Sequence, residues 1–160
     1  MLRHSAIIVL AVLLLPAALN AQQATSQKAS PMAEVTAKSL TWTAAAIPGF
    51  VPGMEMAVVN GDPGKEGTYT IRLRFPAGYA FPAHWHPQDE NLTVLSGSFQ
   101  LGMGDKTNAS ALKTYGPGDF LYMPATVPHY GRVEGVTTIQ LHGTGPFSVT
   151  VVEQIPGAAK

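Results

Sequence analysis

Glycine and proline recur along this chain at intervals of about eight to twelve residues from residue 40 onward. The turn-forming groups include Pro48-Gly49, Pro52-Gly53, Pro76-Ala77-Gly78, Gly116-Pro117-Gly118 and Gly145-Pro146. Such spacing leaves no room for a long helix, because proline removes an amide donor and glycine lowers helix stability. It is typical of many short strands joined by tight turns.

Between these turns, apolar residues alternate with polar ones. Within residues 68–75, one face would carry Tyr69, Ile71, Leu73 and Phe75, and the other Thr70, Arg72 and Arg74. This period of two predicts a strand with one buried face. Two further β-type runs, residues 92–95 and 98–101, are joined by a tight turn at Gly97. No later segment has a helical period, so the domain is predicted to be all-β, a sandwich or barrel.

The start of the chain has a different composition from the predicted domain. Residues 1–21 combine one basic residue, an unbroken apolar run and a small-residue end, which predicts a secretory signal peptide cleaved near Ala21. A retained anchor is the competing interpretation, but the apolar run is short for a bilayer, so we expect no stable membrane insertion. Residues 22–38 are polar and aperiodic, a flexible leader, and the β-domain occupies residues 39–155. The protein is therefore expected to be periplasmic or secreted.

The charge and cysteine content exclude several classes of function. Basic and acidic residues are equal in number, ten of each, and no basic cluster with interleaved aromatic residues is present. We therefore predict no nucleic-acid partner and expect a small neutral or weakly charged molecule instead. The chain has no cysteine, so neither a disulfide nor a thiolate ligand is available.

The segment His84-Trp85-His86-Pro87-Gln88-Asp89-Glu90 contains two of the five histidines. In a strand, residues two apart project to the same face, so His84 and His86 would present their imidazoles side by side while Trp85 points away. Pro87 interrupts the strand, and Glu90 can return a carboxylate to the same point. These donors suit Fe, Mn, Zn, Cu, Ni or Co. Taken alone, such a pair is more often made of core or surface histidines than of metal ligands.

The wider pattern around this segment is more specific. Gly78, His84, His86, Glu90 and Gly97 follow one another with five, one, three and six residues between them. This spacing resembles the first of the two conserved motifs of the cupin superfamily at every defining position. The resemblance implies a small jelly-roll β-barrel that covers nearly all of the mature chain.

A later block resembles the second cupin motif. Gly118, Pro124 and His129 stand at the expected spacing, whereas Thr126 replaces a usual glycine and Val133 replaces a frequent asparagine. The resemblance implies that His84, His86, Glu90 and His129 are the ligands of a divalent transition metal, Fe, Mn, Zn, Cu or Ni. The two departures affect the turn before His129 and leave every ligand in place.

Two residues are candidates for proton transfer. Glu90 is one, and His142 is the other because it alternates with Ile139 and Leu141 and could share the barrel interior with Gln140. A surface position at the end of a strand is the equally weighted alternative for His142.

Three classes of function remain, since a fold alone does not choose among them. The first is a metal-dependent enzyme, of the dioxygenase or the isomerase and decarboxylase kind, acting on a small organic molecule. The second is a non-catalytic periplasmic binding or sensing module. The third, a barrel without metal, is the least favourable because buried imidazoles and a carboxylate would lack a charge partner. The apolar run at residues 54–59 is compatible with a homodimer interface or with an ordinary inner strand.

Overall fold

The computed structural model describes Met32 and residues 34–158. The predicted signal peptide and most of the predicted leader lie outside the described residues, so both stay predictions. All the strands belong to one compact unit that begins at Glu34. In the described part of the chain, no helix has the length and apolar character needed to cross a membrane.

The described unit consists of eleven strands and a single 3₁₀ turn, Ala109–Ala111. The strands are β1 (Thr43–Ala44), β2 (Glu55–Asn60), β3 (Gly67–Phe75), β4 (Ala80–Trp85), β5 (Glu90–Ser96), β6 (Phe99–Met103), β7 (Lys113–Tyr115), β8 (Phe120–Met123), β9 (His129–Val133), β10 (Thr137–Gly145) and β11 (Thr150–Val151). This content confirms the all-β prediction.

The strands form two sheets in which every neighbouring pair is antiparallel. One sheet has six strands in the order β1-β2-β3-β10-β5-β8, and the other has five in the order β11-β4-β9-β6-β7. The inner faces of both sheets supply one hydrophobic core, in which Ile71, Leu92, Phe99 and Val133 are almost fully buried.

The turn predicted at Gly97 joins β5 to β6, and Gly97 has the positive φ of 83° that favours glycine. The two strands do not pair with each other, because β5 belongs to the six-stranded sheet and β6 to the five-stranded one. An added Cβ at Gly97 would lie 2.6 Å from the carbonyl oxygen of Val136. The turn therefore carries the chain between the sheets at a point with no space for a side chain.

The alternation predicted for residues 68–75 is observed in β3. Its odd-numbered side chains are buried, and Arg72 and Arg74 are half-buried on the outer face. There Arg72 Nε donates to Gln140 Oε1 at 3.1 Å, and Arg74 Nε donates to Glu55 Oε2 at 2.8 Å. The long arginine stems thus cover the outside of the sheet while their charged groups are satisfied.

The apolar run at residues 54–59 forms most of β2. This strand lies second from an edge of its sheet, and β1 pairs only with Glu55 and Met56. Val58, beyond the reach of β1, is 46% exposed. The homodimer stays a prediction.

Candidate metal centre

The pairing of β4 with β9 brings the first two histidines together. His84 lies directly opposite His129 in the register of these antiparallel strands, and their ring centroids are 4.4 Å apart. His86 follows the end of β4, with its ring centroid 5.1 Å from that of His84 and 5.4 Å from that of His129. One nitrogen from each ring lies within 4.8 Å of the other two, and all three residues are buried.

Glu90 approaches this histidine group from the other sheet. It is the first residue of β5, after the turn that contains Pro87, as the sequence predicted. Its Oε2 atom lies 3.4 Å from Nε2 of His129 and 3.6 Å from Nε2 of His86. The four predicted ligands therefore lie close together between the two sheets.

Each histidine is oriented by a hydrogen bond to a main-chain carbonyl. Nδ1 of His84 donates to Pro82 at 2.7 Å, Nδ1 of His86 to Ser148 at 2.8 Å, and Nδ1 of His129 to Val127 at 3.2 Å. A carbonyl oxygen only accepts, so each Nδ1 carries a hydrogen, and in the neutral form of each ring Nε2 presents its lone pair. Metal-bound histidines in proteins are oriented in the same way.

The lone pair of His86 has no protein partner. Nε2 of His86 is buried and makes no hydrogen bond within the described residues. A buried polar atom without a partner is costly, and a cation among three such nitrogens and a carboxylate would remove that cost. The residues therefore fit a divalent transition metal, for which nitrogen and carboxylate oxygen are suitable ligands.

Burial and neighbouring charges set the protonation of the site. Burial, followed by the nearby His129, lowers the pKa of His84 to about 3, so this ring is neutral near pH 7. Burial alone would raise the pKa of Glu90, but the hydrogen bond with His129 and the nearby imidazoles lower it overall. Near pH 7 the site thus combines the neutral ring of His84 with the anionic carboxylate of Glu90.

A cavity of about 40 Å³ adjoins the four residues. Its walls are mainly apolar and include Leu73, Phe75, Phe81, Phe99, Leu101 and Leu141. The half-buried side chains of Ile47, Phe147 and Val149 also line it. No lysine or arginine occurs among its described lining residues. Apart from a bound cation, the cavity therefore offers no positive charge to an anion.

The sequence pattern and the geometry of these four residues agree with one protein family. Residues 71–144 match the family model of the cupin domain. This chain contains a cupin domain. No curated protein matches the sequence.

Solved structures confirm the cupin fold. The polyketide cyclase RemF from Streptomyces resistomycificus has a TM-score of 0.65 and 20% identity, over 79% of this chain and 89% of the other. A cupin 2 conserved barrel domain protein from Rhodopseudomonas palustris has a TM-score of 0.57 and 12% identity, over 76% of this chain and 86% of the other. The DMSP lyase DddQ from Ruegeria pomeroyi DSS-3 has a TM-score of 0.55 and 20% identity, over 71% of this chain and 61% of the other. At such identities the similarity shows the fold alone, and with it the jelly-roll prediction is confirmed.

The turn before His129 contains the departure from the second cupin motif. Thr126, in the place of the usual glycine, has a φ of 64°, a region that β-branched residues rarely enter. Its amide donates to the carbonyl of His86 at 2.8 Å. The glycine of the motif is therefore explained by this backbone conformation, which the cupin domain keeps here with a threonine.

Asp89 is a site residue that the sequence reasoning missed. Its Oδ1 accepts the amide hydrogen of Ala125 at 2.8 Å, which ties the connection between β4 and β5 to the turn before β9. This hydrogen bond, and a second from the Tyr122 hydroxyl, lower the pKa of Asp89. Its position next to Glu90 was the only signal in the sequence.

His142 does not lie in the barrel interior. In β10, Ile139 and Leu141 are buried, and His142 is exposed on the opposite, outer face together with the half-buried Gln140. The interior position predicted for it is wrong, because the apolar residues of an alternating strand occupy the core side. Glu90 is the candidate for proton transfer that the structure places at the site.

Proposed function

We propose that this cupin is a metal-dependent enzyme that acts on a small organic molecule. The observation that carries the proposal is the buried, unpartnered Nε2 of His86, which points at His84, His129 and Glu90 beside an apolar cavity. The enzymatic names of two structural neighbours, a polyketide cyclase and a DMSP lyase, support catalysis over simple binding.

The four ligands and the cavity have separate tasks in this proposal. The metal, when bound, supplies a Lewis acid or redox centre. His84, His86 and His129 hold it through Nε2, and Glu90 either completes the set or accepts a proton at Oε2. The apolar walls exclude water and receive an uncharged part of the substrate.

The composition of the cavity narrows the substrate class. A dianion would need a second positive group, and the described lining has no lysine or arginine. We therefore favour a neutral or singly charged molecule with an apolar part. Oxidation of the dioxygenase kind and metal-assisted isomerisation or decarboxylation are both compatible with this set of residues.

The first test is the metal content of the purified protein. We expect close to one transition-metal ion per chain by elemental analysis after expression with Fe, Mn, Zn, Cu and Ni in the medium. His129→Ala should lose the metal and keep the β-type circular dichroism spectrum, because the strands pack independently of this imidazole. His142→Ala, the matched outer-face control, should retain the metal. A metal-free wild-type protein would contradict the proposal.

A substrate screen then separates an enzyme from a non-catalytic binding or sensing module. Oxygen consumption by the Fe, Mn or Cu form is measured against phenols, flavonols and β-dicarbonyls, and product formation under nitrogen reports isomerisation or decarboxylation. Turnover by the wild-type protein that is lost in Glu90→Gln supports the hypothesis that the protein is an enzyme. Ligand binding without turnover across the panel supports the module.

Export is a separate part of the proposal. The N-terminal pattern of residues 1–21 supports a periplasmic or secreted location. Mass spectrometry of the protein recovered from the periplasm or medium should give a mature N-terminus close to Gln22. An intact Met1 in the cytoplasmic fraction would refute export and leave the proposed chemistry unaffected.

A further inference from the structure

Residues 146–149 run from one sheet to the other beside the candidate ligand His86, and we call them the crossing segment. β10 ends at Gly145 in the six-stranded sheet, and β11 begins at Thr150 beside β4 of the five-stranded sheet. Within the crossing segment, Phe147 and Val149 are half-buried and line the cavity, whereas Ser148 is exposed. Strands β10 and β11 therefore hold the two ends of the crossing segment, and its apolar side chains line the cavity.

Phe147 packs directly on a proposed metal ligand. Its ring stacks on His86 with a centroid distance of 5.0 Å and an interplanar angle of 25°. The ring of Tyr69 meets it edge to face at 5.9 Å. The amide of Phe147 donates to the carbonyl of Pro63 at 2.6 Å. The ring is thus held between His86 and Tyr69 in the lining of the cavity.

The same segment also orients His86. The carbonyls that hold His84 and His129 lie two residues before each histidine, so each of these rings is fixed by its own stretch of chain. His86 differs, because its partner, the carbonyl of Ser148, is 62 residues away in sequence. One of the three histidines is therefore oriented by the crossing segment, which also lines the cavity.

We propose that the crossing segment is a cover that determines which ligands reach the metal and at the same time holds His86 in its metal-binding orientation. Phe147 is the residue that sets the size limit, and Ser148 is a positioning residue that acts through its main-chain carbonyl. The inference rests on the proposed metal site. A ligand too large for the cavity of about 40 Å³ must displace Phe147 and thereby loosen the hydrogen bond to His86.

Ligand size is the first test. Cobalt-loaded protein is titrated with azide and with 4-phenylimidazole, and binding is followed by the visible absorption of Co²⁺. Phe147→Ala should bind 4-phenylimidazole at least about tenfold more tightly than wild type, a typical gain when a blocked apolar pocket is opened. Its affinity for azide should change by less than about twofold.

The matched control is Phe120→Ala, which removes the same ring from an exposed position on β8. This variant should behave as wild type with both ligands. Equal affinities of wild type and Phe147→Ala for 4-phenylimidazole would overturn the size limit assigned to Phe147.

Hydrogen exchange tests the positioning role without metal. In metal-free protein, NMR follows exchange of the Nδ1 hydrogens of His86 and His84 with solvent. Phe147→Ala should accelerate exchange at His86 by about three- to tenfold, the size expected for one lost aromatic contact, and leave His84 unchanged. Equal rates at His86 in both proteins, or equal acceleration at both histidines, would overturn the coupling. Failure to take up cobalt would instead refute the proposed function, and the exchange comparison would still decide the role of the cover.

Discussion

At Thr126, the turn before the candidate ligand His129 keeps its conformation at a cost in backbone strain. A left-handed backbone conformation places Cβ close to the following carbonyl, which glycine avoids and a β-branched residue does not. The side chain of Thr126 is exposed, so packing does not compensate. Its amide hydrogen bond to the carbonyl of His86 is the gain that depends on this conformation.

Replacing Thr126 with glycine should therefore stabilise the domain. The strain relieved exceeds the added freedom of the unfolded chain, so we expect a gain of about 0.5–1 kcal/mol in the free energy of unfolding, measured by urea denaturation. Gly118→Ala is the opposite control, because Gly118 has a φ of 94° with no atom near its missing Cβ. It should lose a similar amount. A Thr126→Gly variant less stable than wild type would show that the threonine side chain contributes more than its strain costs.

The histidines also show what the alternation of polar and apolar residues can and cannot predict. The period of two placed His84 and His86 on one side of the chain correctly, and it placed His142 on the same face as Gln140 correctly. Alternation alone does not say which face of β10 points inward. The apolar residues Ile139 and Leu141 identify the inner face. A polar residue next to a buried strand residue faces outward unless a partner inside satisfies it.

At the level of elements, two loops are joined into one support for the ligands. The connection between β4 and β5 contains His86 and Asp89, and the turn between β8 and β9 contains Ala125 and Thr126. Asp89 accepts from the Ala125 amide, and the carbonyl of His86 accepts from the Thr126 amide, so the first loop supplies both acceptors and the second both donors. The two ligands that border these loops, Glu90 and His129, depend on their relative position.

Asp89→Ala should weaken metal binding without touching a ligand. Loss of the acceptor for the Ala125 amide frees the turn before His129, and groups that orient ligands typically contribute about tenfold or more to metal affinity. Competition with a chelator of known affinity measures this change. Asp105→Ala removes an exposed carboxylate on another loop and serves as the control. Equal affinities of the two variants would show that the turn holds its shape alone.

The sequence predicted the strands better than their arrangement. Local alternation and Gly-Pro spacing are properties of short segments, so β3 and the turn at Gly97 were found. Pairing is a long-range property, so the separation of β5 and β6 into different sheets was not. Phe147 and Ser148 were missed for the same reason, because their contacts with His86 join residues about sixty positions apart and leave no local pattern.

For the whole molecule, the four candidate metal ligands lie where the two sheets meet. Three imidazoles and a carboxylate converge in an apolar interior, which is unfavourable without a cation and favourable with one. Ligands that bind only the folded state stabilise it by mass action, about 2.7 kcal/mol at a hundredfold excess over Kd. The free energy of unfolding of the domain should therefore depend strongly on metal.

Metal at this excess should raise the Tm by about 10 °C, given the size of the domain. Differential scanning calorimetry with and without a chelator measures the shift. Glu90→Gln keeps the volume of the side chain and removes the charge, so its metal-dependent shift should be smaller. An unchanged Tm in wild type would indicate that the site is empty in the folded protein.

The position of β10 has a consequence for how the protein is made. This strand lies between β3 and β5, although its residues follow their pairing partners by roughly forty to eighty positions, and the last cover residues come later still. Neither sheet is closed until the final part of the chain is available, and folds with such distant pairings form slowly. A ribosome must therefore have released the chain beyond β9 before His129 can meet the other three residues, so loading of the proposed metal would follow the synthesis of that strand.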